Sequence, residues 1–196
     1  PLLHAIAVQV PSISTARATL SKEIIVAFKG TDPKSIEDLL SDFAIASESF
    51  NLFGSSLYRL PLYKEAFDFL TAIVSAYPPK DVFRGYAGFS GEPKARVVLT
   101  GHSLGGYIAG DLSVRSGLPS RTFSAPATNI IKDSDQTSAN LFANTMPIGN
   151  ALNIYIEGDP VVTHSGRHKE NSIMYKSTSS AKSAMDKHKL TSVIAA

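Results

Sequence analysis

Residues 95–116, ARVVLTGHSLGGYIAGDLSVRS, constrain the fold more than any other stretch of the chain. Ala95 to Thr100 is an apolar, β-branched run of strand length. Gly101 to Gly105 reads as a tight turn, with one serine held between glycines. Tyr107 to Ser116 spaces its apolar residues as a helix does and stops near Gly117. A strand that passes so directly into a helix must bury both apolar faces at once. Repeated units of that kind build layered α/β proteins with a mainly parallel sheet.

The rest of the chain supplies such units. Two strand-like runs, His4 to Val10 and Glu23 to Lys29, flank a polar turn at 11–21 and predict an antiparallel hairpin at one edge of the sheet. Ile36, Leu39, Leu40 and Phe43 fall at helical spacing, and residues 50–61 look like a loop. Tyr63, Ala66, Phe67, Leu70, Ile73, Val74 and Tyr77 repeat at three and four, so a helix with one buried stripe is expected, stopped by Pro78 and Pro79. Strands are expected to start at Thr122 and to cover Ala151 to Glu157 and Ser172 to Lys176. Ser177 to Lys187 is polar and reads as a flexible tail, with Leu190 to Ala195 a short helix or strand. No repeat or long linker breaks the 196 residues, so one domain over 1–196 is expected.

Composition narrows the chemistry. The chain has no cysteine, which excludes disulfides and cysteine-based zinc sites and leans towards a cytoplasmic protein. A net charge of +2, with basic residues scattered or loosely grouped near the C-terminus, reads as a solvated face and argues against a nucleic-acid partner. No apolar run approaches the roughly 20 residues that span a bilayer. PLLHAIAVQV has neither the basic start nor the long apolar core of a signal peptide.

Gly-x-Ser-x-Gly alone is a weak pattern, and a glycine-rich turn with an idle serine is its bland reading. The flanking strand and helix change that. They are the context of a nucleophile elbow, in which a serine stands at a strained backbone angle at the start of a helix. Gly101 and either Gly105 or Gly106 leave room for strand and helix to approach. Ser103 then meets the free N–H groups of the helix start, which favour developing negative charge. His102 is expected to point away from the mouth of the site and is read as a packing or supporting residue, not a base.

GHSLGG at 101–106 resembles the elbow of the class 3 (fungal-type, triacylglycerol) lipases. VAFKGTD at 26–32 resembles that family's Phe-Arg-Gly-Thr/Ser strand end, with Lys29 for Arg, and SIEDLLSDF at 35–43 resembles the segment behind it. TFSAPATN at 122–129, IEGDPVV at 156–162 and DKHKLTSVI at 186–194 resemble its later strand end, acid segment and histidine segment. The chain lacks the His-x-Gly-Phe usual ahead of the helix at 62–77. The resemblance runs over residues 4–194. It implies a compact α/β-hydrolase-like sandwich, with a mainly parallel sheet, an antiparallel N-terminal hairpin and helices on both faces. It also implies hydrolysis of lipid carboxylic esters through a Ser-His-Asp triad, with no cofactor and no metal.

Acyl transfer by serine needs a base, an orienting acid and oxyanion donors besides the nucleophile. Ser103 is the candidate nucleophile. The backbone N–H of Leu104 and a donor from Thr31, at the end of VAFKGT, are the candidate oxyanion hole. Asp159 is the candidate acid, because it follows a strand (LNIYIEG) and precedes Pro160, whose fixed φ stiffens the loop; Asp133 and Asp135 look solvated. His164, His168 and His188 all follow Asp159, so chain order fits each as the base. His188 is favoured because the chain must return across the sheet after residues 172–176, and because HKL at 188–190 matches the family's late segment. The leading function is a lipase or esterase acting on a lipid or small ester, with transient contact to a membrane surface. A phospholipase or lysophospholipase is the alternative within the class, and a catalytically inactive hydrolase-fold binding module is the alternative outside it. Residues 34–43 are expected to form either a lid over the site or an ordinary surface helix.

Overall fold

A computed structural model describes residues 4–10, 22–30, 61–79, 95–127, 151–165, 171–176 and 184–189. Its framework is a sheet of six strands: β1 (Ala5–Val10), β2 (Lys22–Phe28), β3 (Ala95–His102), β4 (Ser120–Phe123), β5 (Ala151–Ile156) and β6 (Asn171–Tyr175). The spatial order follows the chain order from β1 to β6. β1 pairs antiparallel with β2, as the hairpin pattern predicts, with Val8 opposite Ile25. Every later neighbour pairs parallel. This is a mixed, mostly parallel α/β arrangement.

The strands form where the side chains suit a pleated, buried surface. In β2, Ile24, Val26 and Phe28 point to the core and are buried, and in β3 Ala95, Val97 and Leu99 do the same. The helix expected over 63–77 is α1 (Pro61–Ala76). It begins inside the stretch read as loop, because Pro61 has no N–H to leave unpaired and so suits a first helical turn. Tyr63, Ala66, Leu70 and Val74 form its buried stripe. It stops ahead of Pro78, after Tyr77 N–H donates to Ile73 O at 2.8 Å.

α2 (Leu104–Ser116) follows β3 with one residue between them. Gly117 closes it with φ of 73° and donates its N–H to Ser113 O at 2.8 Å, a left-handed cap that glycine adopts without strain. α1 and α2 pack together in one core with β2 and β3. Across their contact the Tyr63 hydroxyl donates to Asp111 Oδ2, and both residues are buried. Burial pushes the Asp111 carboxyl up to about 7, partly offset by the hydrogen bond from Tyr63. Burial and the neighbouring carboxyl push the Tyr63 phenol well above its ordinary range, so it stays a donor.

Other boundaries also differ from expectation: β4 begins at Ser120 rather than Thr122, and α2 at Leu104 rather than Tyr107. β3 runs on through Gly101 and His102, because these pair with Thr122 and Phe123 of β4. Part of the tail read as flexible is a short helix, α4 (Ala184–His188), while α3 (Pro160–His164) follows β5. The expected turn at 11–21, the helix at 35–43 with its lid role, most of the loop at 50–61, and the segment at 190–195 lie outside the described residues. Among the described residues, no helix is long and apolar enough to cross a membrane.

Candidate active site

The site lies at the carboxyl ends of β3, β4 and β5. Because β3 extends to His102 and α2 begins at Leu104, Ser103 alone makes the turn, with φ of 56° and ψ of −127°. Such a backbone costs a non-glycine residue on the order of 1–3 kcal/mol and persists only where its surroundings hold it. Here Ser103 N–H donates to Phe123 O at 3.0 Å, and Ser103 O accepts the first helical bond, from Tyr107 N–H at 2.9 Å. The glycines matter through closeness. A Cβ on Gly105 would lie 2.1 Å from Phe28 O, and one on Gly101 would lie 2.3 Å from Gly105 O. Backbone meets backbone at both points, so β2, β3 and the start of α2 could not approach with any larger residue there.

Ser103, Asp159 and His188 come together from three separate segments. Each is buried, with at most 1% of its surface exposed. His188 Nδ1 lies 3.0 Å from Asp159 Oδ1 and 3.1 Å from Oδ2. A carboxylate only accepts, so Nδ1–H donates to it and Nε2 is left as an acceptor. Ser103 Oγ–H donates to that nitrogen at 2.9 Å. Asp159 is itself held by α3. Its Oδ1 accepts from Val161 N–H at 2.9 Å and from Val162 N–H at 3.4 Å, as an N-cap does. Pro160, expected from the sequence only to stiffen a loop, opens this helix; an aspartate followed by proline at the first helical position is the signal that marks such a start.

The end of β4 is fixed from behind. Asn153, fully buried on β5, accepts from Ala125 N–H at 3.2 Å and from Thr122 Oγ1–H at 3.1 Å, and its amide donates to Ala125 O at 3.0 Å. These bonds bracket Ser124, a second non-glycine residue at positive φ (48°), beside Ser103. Nothing in the sequence pattern singled out Asn153, because a polar residue alternating within a strand reads as exposed.

Leu104 N–H belongs to the first turn of α2, where amides have no intrahelical acceptor. Thr31 lies outside the described residues. The residue before it, Gly30, packs on the elbow: a Cβ there would sit 3.4 Å from Ser103 Cβ and 2.5 Å from His102 O. His164 ends α3, but its side chain lies outside the described residues, as do His168, Asp133 and Asp135. His102 Nε2–H donates to the carbonyl of His188 at 2.6 Å. Among the described residues, no group of three or more His, Asp or Glu side chains is placed to hold a metal ion.

Chemically, the arrangement can pass a proton from a hydroxyl to an imidazole whose far N–H is held by a carboxylate, and the hydroxyl oxygen stands at the start of a 13-residue helix. A scan against protein-family models finds no match to the chain, and a search of curated proteins finds none similar to it.

Proposed function

We propose that this protein is a serine hydrolase that cleaves carboxylic esters of lipids, on an α/β-hydrolase-like framework with helices on both faces of the sheet, similar to the class 3 lipases. The observation that carries the reading is the continuous Ser103–His188–Asp159 relay, with bonds of 2.9 Å and 3.0 Å, at a backbone strained as an elbow requires.

Ser103 Oγ attacks the ester carbonyl carbon while its proton passes to His188 Nε2. The imidazolium so formed is stabilised by Asp159 through Nδ1–H. The carbonyl oxygen becomes an oxyanion facing the Leu104 N–H and the helix start, with Thr31 as the second donor; one such donor is worth about a hundredfold or more in rate. The tetrahedral intermediate collapses, the alcohol leaves with the proton from Nε2, and the acyl group stays on Ser103. Water then repeats the sequence, giving up a proton to His188, and releases the acid. No cofactor or metal enters these steps.

An active-site fluorophosphonate and a panel of p-nitrophenyl esters, triacylglycerols, phospholipids and lysophospholipids test the reading. The label is expected on Ser103 alone, and Ser103→Ala is expected to lose both labelling and hydrolysis while keeping its thermal transition. Preference for glycerophospholipids would move the substrate class to a phospholipase. A folded wild-type protein that takes no label and cleaves no ester would leave a binding module, and the proposal would be wrong.

A further inference from the structure

His102 is a residue the relay does not use, yet it is bonded to the relay's centre. We propose that His102 is a positioning residue that fixes the backbone of His188, so that the serine and the clamp on its base come from consecutive residues of one strand end. The inference rests on the serine-hydrolase reading above.

His188 is the last residue of α4, a helix of only five residues. Such a helix is too short to hold itself together, and the carbonyls of its last turn have no intrahelical donor. His188 is wholly buried, so its carbonyl needs a hydrogen-bond partner, and no other described residue is shown donating to it. His102 Nε2–H supplies that partner at 2.6 Å. The two imidazoles also lie against each other, with centroids 4.8 Å apart and planes tilted by 39°. His102 is a firm anchor. Its backbone pairs within the sheet opposite Phe123, and Gly30 is pressed against its carbonyl. His188 is therefore held at three points: its carbonyl by His102, Nδ1 by Asp159, and Nε2 by Ser103.

The identity of the clamp is chemically sensible. A carbonyl can only accept, so the clamp must donate; an ammonium or guanidinium would donate too, but its charge would oppose the charge His188 gains during the reaction. Burial, partly offset by the hydrogen bond to the His188 carbonyl, pulls His102 below the usual histidine range and favours the neutral ring, and a carbonyl partner then requires the proton on Nε2.

Two variants of similar bulk separate positioning from packing. His102→Leu fills the space and cannot donate. His102→Gln places an amide N–H near the position of Nε2. With a soluble short ester, His102→Leu is expected to lower kcat about a hundredfold, the order expected for roughly an ångström of misplacement, with KM within about threefold. His102→Gln is expected to recover kcat to within about tenfold of wild type. A His102→Leu enzyme within threefold of wild type, or a His102→Gln enzyme no better than His102→Leu, overturns the proposal while leaving the hydrolase reading intact. The wild-type protein gives a check that needs no variant to fold. Long-range 15N–1H correlation should show His102 protonated at Nε2 and His188 at Nδ1, and a His102 protonated at Nδ1 alone overturns the clamp. A wild-type protein that neither takes the fluorophosphonate nor cleaves esters removes the hydrolase reading and this inference with it.

Discussion

Asp111 should make the stability of this protein fall as pH rises through neutrality. The carboxyl is buried between α1 and α2, and its folded value is about 7 against an ordinary 3.8, with burial as the main cause. The folded state therefore keeps a proton that the unfolded chain has already lost. Between the two values the unfolded state binds fewer protons, so stability declines with pH and levels off above the folded value. At about 1.4 kcal/mol per unit, the full loss is on the order of 4 kcal/mol, of which about 3 kcal/mol falls between pH 5 and pH 8. Asp111→Asn keeps the shape and an oxygen to accept from Tyr63, but removes the titration. Urea unfolding of both proteins at pH 5, 6, 7 and 8 measures it, because the other carboxylates cancel in the difference. Wild type is expected to lose about 3 kcal/mol relative to Asp111→Asn across that range. Tyr63→Phe removes a donor that favours the carboxylate, so it should extend the decline to higher pH and enlarge it. A wild-type minus Asp111→Asn difference constant to within about 0.5 kcal/mol would refute the reasoning, since no large shift could then exist at Asp111.

Three further substitutions follow from the site. Asp159→Asn retains a good N-cap for α3, so stability should change by less than about 1 kcal/mol, while hydrolysis of a soluble ester falls about ten-thousandfold through loss of the correct imidazole tautomer; retention of more than about a hundredth of the rate would remove Asp159 from the relay. Gly105→Ala drives a methyl into the Phe28 carbonyl at 2.1 Å, and should cost at least about 3 kcal/mol in urea unfolding, the upper end of ordinary overpacking, because backbone cannot yield as a side chain does. Asn153→Ala leaves both Ala125 N–H and Ala125 O without their partner, so a loss of about 3 kcal/mol is expected, and one below about 1 kcal/mol would mean the bonds carry little.

Much of the framework was legible because period-two and period-3.6 patterns are local. The stripe from Tyr63 to Tyr77 and the alternation in β2 each declare their buried side. The misjudged boundaries are places where partners decide. Gly101 and His102 have poor strand propensity and are strands only because β4 pairs with them. Ala184–His188 is helical despite its short, polar surroundings, and five residues could not be helical on propensity alone. Chain order could not choose among three histidines that all follow Asp159; the choice of His188 is written in three-dimensional distances. Asp111 was hidden for the opposite reason. A single acid in a helix reads as solvent-facing, and only the packing of α1 on α2 shows it enclosed.

The relay joins residues far apart in the chain. Ser103 and His188 are separated by 85 positions, and Asp159 and His188 by 29. The β1–β2 hairpin, by contrast, forms from near neighbours, as does the β3–α2 elbow. Long loops close late, because their entropy must be met before the contact repays it. On refolding, the β1–β2 hairpin and α2 can therefore form before the relay is complete. A molecule with its sheet and elbow formed but α4 undocked carries Ser103 as an ordinary alcohol, with no imidazole to take its proton. Labelling of Ser103 then counts fully assembled molecules, whereas circular dichroism counts every chain that has made its helices.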